Sequence, residues 1–325
     1  MSTITSAARS APAAPLSAAT PLGVTVAGID FQNPVVLASG TAAYGREIAR
    51  VVDLEALGGL VTKAVSVRPR HGNPAPRVAE FGGGMLNAIG LANPGLEEVR
   101  ANDLPWLHES VRRARVLVNV VGDCAEDYEA VVAGLTDAPG VAGFELNVSC
   151  PNVKAGGMEF GADPRSLAEV VSRARAATDR PLFVKLSPTL PDIAGSARVA
   201  VGAGADALTL VNTLPGLAID VERRRPVLGF GSGGVSGAAM LPVGVLATWK
   251  VRQAVEAPIM GIGGITSAED ALQYLIAGAS LAGIGTAAMR DPRTPERVVR
   301  GLERWRRRHG IARLAEIVGT LEWPR

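Results

Sequence analysis

The chain has 325 residues, 47% of them hydrophobic, and a formal net charge of +2. That length exceeds a small stapled domain and suits one α/β barrel with loop insertions. The near-zero charge and 4% aromatic content exclude nucleic acid as the main partner, which needs surplus cations and stacking rings. Two cysteines, Cys124 and Cys150, are too few for a disulfide framework or an iron–sulfur cluster. His71, His108 and His309 lack ligand spacing, so no protein-held metal is expected.

Residues 1–22, MSTITSAARSAPAAPLSAATPL, are mostly Ala, Ser, Thr and Pro with Arg9 as the single charge. They read as a disordered tail rather than a signal or transit peptide. No 18-residue apolar run follows, so a cytoplasmic protein with no membrane partner is expected, its domain spanning 23–325. VTVAGIDFQN (24–33) alternates around a glycine and predicts a hairpin closing the floor of a barrel.

Eight β-branched apolar runs then recur: PVVLASG (34–40), GGLVTKAV (58–65), RVLVNVVG (115–122), GFELNVSC (143–150), PLFVKLSP (181–188), ALTLVNT (207–213), PIMGIGG (258–264) and LAGIGTAA (281–288). Continuous apolar strands separated by helical patterns mean a parallel sheet buried on both faces. Eight of them predict a closed (β/α)8 TIM barrel. Between strands, DPRSLAEVVSRARAAT (163–178) opens with an Asp cap and proline and buries Leu167, Val170, Val171 and Ala174. SAEDALQYLIAGA (267–279) starts at a Ser cap and stops at Gly278. The connections 66–114 and 214–257 are long and rich in Gly and Pro, and long loops in compact domains are usually lids or binding loops.

GFGSGG (229–234) fits G-x-G-x-x-G, but no acidic residue ends the next strand and it lies inside the barrel series, so it reads as a loop. RRR (223–225) and WRRRHG (305–310) read as solvated surface. Cys124 reads as an inert residue near a helix start.

The strand ends carry Ser39–Gly40, Lys63, Asn119, Asn147 with Cys150, Lys185, Asn212–Thr213, Gly263–Gly264 and Gly285–Thr286. Any one of these is an ordinary turn former. Eight together, with amides and ammonium groups, predict a site on the C-terminal rim. The glycines ending strands seven and eight suit a phosphate, because small residues let backbone N–H groups approach an anion. Only four basic residues are lysine (63, 154, 185 and 250) against 29 arginines, so each lysine's compact charge invites a reason. A free thiol of pKa about 8.5 is mostly protonated at neutral pH, so Cys150 as a base needs neighbouring donors or cations.

Together these residues resemble the dihydroorotate dehydrogenases, specifically their soluble cysteine-containing class, over about residues 23–300. The resemblance rests on NPVVLASGT, GNPAPRVAEFGGGMLNAIGLANPG, ELNVSCPNVKAGG, VKLSP, LVNT and GIGGI. It implies FMN held by Ser39, Lys63, Ala64, Asn119, Asn147, Lys185, Val211, Gly237, Gly263, Gly264, Gly285 and Thr286. It implies dihydroorotate held by Lys63, Asn87, Ala88, Ile89, Gly90, Leu91, Asn147, Asn212 and Thr213, with Cys150 as catalytic base. The CPNVKAGG stretch is more similar to the NAD-linked subclass, whose barrel subunit works with a partner carrying FAD and a 2Fe–2S cluster. A homodimer is also expected. Pro215, Gly216 and GFGSGGVSGAAMLP depart from the family's pattern near the substrate loop. Three alternatives stay open: fumarate as final acceptor, another dihydropyrimidine, cyclic imide or enone as substrate, and a non-catalytic phosphate-binding barrel.

Overall fold

A computed structural model describes residues 20–149, 151, 152 and 158–324; Cys150 and Lys154 lie outside them, as does most of the 1–22 stretch. Residues 20–22 belong with the barrel: Leu22 packs on its core, and the Pro21 carbonyl accepts from the Leu314 N–H at 2.8 Å.

Eight parallel strands close into a barrel in chain order. They are β1 (Val35–Leu37), β2 (Gly59–Val61), β3 (Arg115–Val120), β4 (Val141–Asn147), β5 (Leu182–Leu186), β6 (Ala207–Leu210), β7 (Ile259–Ile262) and β8 (Leu281–Ile284). Each lies within one of the eight apolar runs of the sequence, except that β4 begins two residues earlier. Successive side chains point to opposite faces, so each strand feeds two cores. Outward residues such as Val184, Leu208 and Ile284 meet the helices. Inward residues Val36, Val61, Leu117, Phe183, Ala207, Met260 and Leu281 fill the lumen. The lumen is plugged from below by Val26, Ile29 and Phe31 of the expected hairpin, Val24–Val26 paired with Ile29–Phe31.

The helices follow their local chemistry. Pro164–Ala176 starts where the Asp163 carboxylate accepts the Ser166 N–H, and it buries the four residues its periodicity marks. Ala268–Ala277 opens with a capping box between Ser267 and Asp270 and ends on Gly278 at φ 117°, a left-handed cap that glycine reaches without a Cβ clash. Among the described residues no helix is long and apolar enough to cross a membrane.

The two long connections are not irregular loops. They meet in one four-stranded antiparallel sheet, Leu214–Gly216, Gly233–Ser236, Gly84–Asn87 and Val78–Phe81 in spatial order. Glycine permits the join, since a Cβ on Gly84 would overlap the Ser236 carbonyl and one on Gly234 would overlap Thr213. The GFGSGG segment is therefore loop only in its first four residues; Gly233 and Gly234 start a strand. The Arg223–Arg225 run is exposed, as expected.

The WRRRHG run mostly continues the helix Thr294–Arg308, where Glu303 accepts from Arg306 at 2.8 Å and from Arg307 at 2.6 Å. These guanidinium bonds hold the Glu303 carboxyl down at about 2. A depressed folded-state value gives stability that is present above the unfolded value of 4.5 and lost as pH falls through the folded one. Glu303→Gln is thus expected to lose about 0.5 kcal/mol at neutral pH, the scale of an exposed pair. Thermal melts should show that gap closing at pH values below the ordinary carboxylate range. A gap that stays constant with pH would remove the ion pair as its cause.

Candidate active site

The C-terminal ends of the strands open into a cavity of about 320 Å³, roofed on one side by the rim sheet. That volume is within the range of small-molecule sites. Strand parity decides what faces it. On β5, Phe183 fills the lumen and Lys185, two residues on, reaches the cavity floor at 6% exposure. On β3 and β4 the same alternation brings up Asn119 and Asn147.

All twelve residues expected at the cofactor line this cavity: Ser39, Lys63, Ala64, Asn119, Asn147, Lys185, Val211, Gly237, Gly263, Gly264, Gly285 and Thr286. Of those expected at the substrate, Lys63, Asn87, Ile89, Leu91, Asn147, Asn212 and Thr213 also line it. Ala88 and Gly90, in the turn that follows the strand Gly84–Asn87, do not. Ala88 packs with Leu86 and Leu228, and a Cβ on Gly90 would lie 2.6 Å from the Asn73 nitrogen. Cys150 lies outside the described residues; it follows Asn147 by three positions. Sequence reasoning missed Val78, Met85, Val235 and Ser236, which arrive with the rim sheet, and also Thr41, Thr266 and Met289. Thr41 had a signal, as the last residue of the NPVVLASGT motif.

The polar groups hold one another in place. Lys185 Nζ donates to Ser39 Oγ at 3.0 Å. Asn212 Nδ2 donates to Asn147 Oδ1 at 3.1 Å, and Asn212 Oδ1 accepts the Thr213 N–H at 2.8 Å. Two buried phenols brace the walls: Tyr44 donates to the Ala64 carbonyl at 2.9 Å and Tyr274 to the Gly263 carbonyl at 2.7 Å. Burial pushes both phenols well above their ordinary value, so they remain neutral donors. Cys124, by contrast, sits half-buried before the helix Ala125–Leu135, away from the cavity, and burial pushes its thiol up too.

Lys63 and Lys185 line the cavity, and among the described lining residues there is no carboxylate; that of Glu145 lies behind the lining, 3.9 Å from Lys185 Nζ. Just past the end of β7, Gly263 (φ 126°) and Gly264 (φ 76°) adopt conformations that disfavour a Cβ, and one on Gly264 would overlap the Leu241 nitrogen. This is the rim position where barrels hold phosphate. The arrangement can take an elongated anionic ligand with one end at the glycines and the other among the amides beneath the rim sheet.

Residues 21–305 match the family model described as "Dihydroorotate dehydrogenase". The chain is 49% identical over 299 residues to the "Dihydroorotate dehydrogenase B (NAD(+)), catalytic subunit" of Pelobacter propionicus, covering 92% of this chain and 98% of that protein. It is 47% identical over 300 residues to the protein of the same name from Geotalea uraniireducens, with 92% and 98% coverage. It is also 49% identical over 302 residues to the "Putative dihydroorotate dehydrogenase A (fumarate)" of Solibacter usitatus, covering 93% and 99%.

Proposed function

The chain belongs to the dihydroorotate dehydrogenase family, and from that premise we propose that it oxidises dihydroorotate to orotate in pyrimidine biosynthesis, with FMN in the cavity and Cys150 as base. The observation that carries this reading is the cavity's lining: Lys63, the amides Asn87, Asn119, Asn147 and Asn212, and the rim glycines Gly263 and Gly264, a set suited to a ligand pair that bears a phosphate and a carboxylate.

The residues present fit FMN. Gly263, Gly264, Gly285 and Thr286 would receive its phosphate on close-approaching backbone, and Ser39, Lys63, Ala64, Asn119, Asn147, Lys185, Val211 and Gly237 would hold the remainder. Bound FMN would supply the two-electron acceptor. Dihydroorotate then loses a proton from the carbon beside its carbonyl to the Cys150 thiolate, and a hydride from the neighbouring carbon, as a C=C bond forms. Asn87, Ile89, Leu91, Asn147, Asn212 and Thr213 would orient the ring, and Ala88 and Gly90 would shape that loop from behind. Lys63 would pair with the substrate carboxylate, and the rim sheet restricts water.

The names of the relatives favour NAD as final acceptor and a second subunit beside the catalytic one; the proposed route to NAD runs through FAD and a 2Fe–2S cluster on that subunit. The Solibacter protein keeps direct fumarate reduction as a second reading. A homodimer in the cytoplasm is part of this reading, with the exposed apolar side chains Leu217, Ile219, Val221 and Phe230 as its candidate contacts. The purified protein should be yellow and should bleach anaerobically with dihydroorotate. Reoxidation by fumarate alone would select the second reading for the acceptor. Bleaching only by another dihydropyrimidine would move the substrate, and a protein that takes up no FMN would overturn the proposal.

A further inference from the structure

Beneath the cavity lies a charge that the reaction just described does not use. Glu145 is on the inward face of β4, between Gly143 and Asn147, and is 0% exposed. Its Oε1 accepts from Asn119 Nδ2 at 2.7 Å and stands 3.9 Å from Lys185 Nζ. Its Oε2 is buried without a hydrogen-bond partner among the described residues. Thr209 Oγ1, beside Lys185 in the register of β5 and β6, is buried and unpartnered too.

Structural need does not explain the carboxylate. The hydrogen bond from Asn119 asks for one acceptor oxygen, which a neutral glutamine offers equally. A buried ion pair adds little net stability, because desolvating both charges offsets their attraction. A carboxylate retained there, with one oxygen left idle, points to a role for its charge. Both groups that Glu145 touches, Asn119 and Lys185, line the cavity.

We infer that Glu145 is a positioning residue that fixes the Asn119 amide and the Lys185 ammonium and partly cancels the positive charge they present to the flavin. The inference rests on the proposed FMN site. Reduction adds negative charge to the flavin, and a bare buried ammonium below it would bind the reduced form too tightly to pass electrons onward. With Glu145 in place the pair is neutral; without its charge the site gains one unit of positive charge in a poorly screened interior.

The test is the midpoint potential of the bound flavin in Glu145→Gln against the wild type, by anaerobic reductive titration. The variant keeps an acceptor for Asn119 and removes the charge. Reduced FMN should bind at least tenfold more tightly relative to oxidised FMN, a rise of about 30 mV for a two-electron couple. Glu145→Asp, which only retracts the carboxylate from Lys185, should shift the potential the same way by less, and it stands in should the glutamine variant not fold. A potential unchanged or lowered in a flavin-loaded variant overturns the inference and leaves the proposed function standing. A wild type that takes up no FMN overturns both.

Discussion

Replacing Cys150 by alanine should leave the flavin bound and slow its bleaching by dihydroorotate roughly 10²–10⁴-fold near neutral pH, the usual contribution of a positioned base. The expectation follows from the division of labour in the cavity. The proposed phosphate end is glycine backbone just past β7 and β8, far in sequence from Cys150, so the loss of one thiol should leave FMN affinity unchanged. The substrate proton has few other places to go. Among the described residues lining the cavity there is no carboxylate or histidine to accept it, and the ammonium groups are already protonated. Cys150→Ser should retain a residual rate that keeps climbing with pH after the wild-type rate has levelled, because a hydroxyl ionises far above a thiol. Stopped-flow absorbance at the flavin band reads both. Equal bleaching rates in the alanine variant and the wild type would take the base role away from Cys150.

Much of this was legible in the sequence because parallel barrel strands are buried on both faces. Runs such as PLFVKLSP and ALTLVNT are apolar without alternation, and their polar last residues mark the rim. What the sequence hid has two physical causes. The rim sheet joins Gly84–Asn87 to Gly233–Ser236, segments of four residues whose glycines argue against strands locally, and only their non-local pairing makes them strands. So Met85, Val235 and Ser236 reached the cavity unannounced. The second cause is local geometry. The run Asn87–Leu91 reads as one continuous binding loop, yet the strand ends at Asn87 and the chain turns through left-handed Gly90 (φ 70°) and Leu91 (φ 55°), and Ala88 and Gly90 face Leu228 and Asn73 instead. Glu145 shows the same blindness in reverse. An acid inside FELNVSC looks like part of a motif until the register places it two residues below Asn147 on the inward face.

The largest stability effect is expected from Lys185→Met in the flavin-free protein. The substitution keeps length and apolar volume, so the lumen stays filled, but Glu145 is left fully buried without its cation. Breaking one side of a buried pair costs about 3–5 kcal/mol, and the 3.9 Å separation here argues for the low end, about 3 kcal/mol. Urea unfolding should show the midpoint falling with the slope unchanged, the mark of lost stability rather than altered compactness. Adding Glu145→Gln to Lys185→Met should then recover more than half of the loss, because the orphaned charge goes with it, whereas Glu145→Gln alone should also destabilise, but by less than Lys185→Met, since the ammonium it leaves keeps its bond to Ser39 Oγ and lines the cavity. That coupling is the decisive quantity. Two residues acting independently give additive effects, and contacting charges do not. If the double variant is no more stable than Lys185→Met, the carboxylate and the ammonium are not energetically paired. The cost of losing Lys185 would then lie in its bond to Ser39 Oγ and the packing of its aliphatic stem.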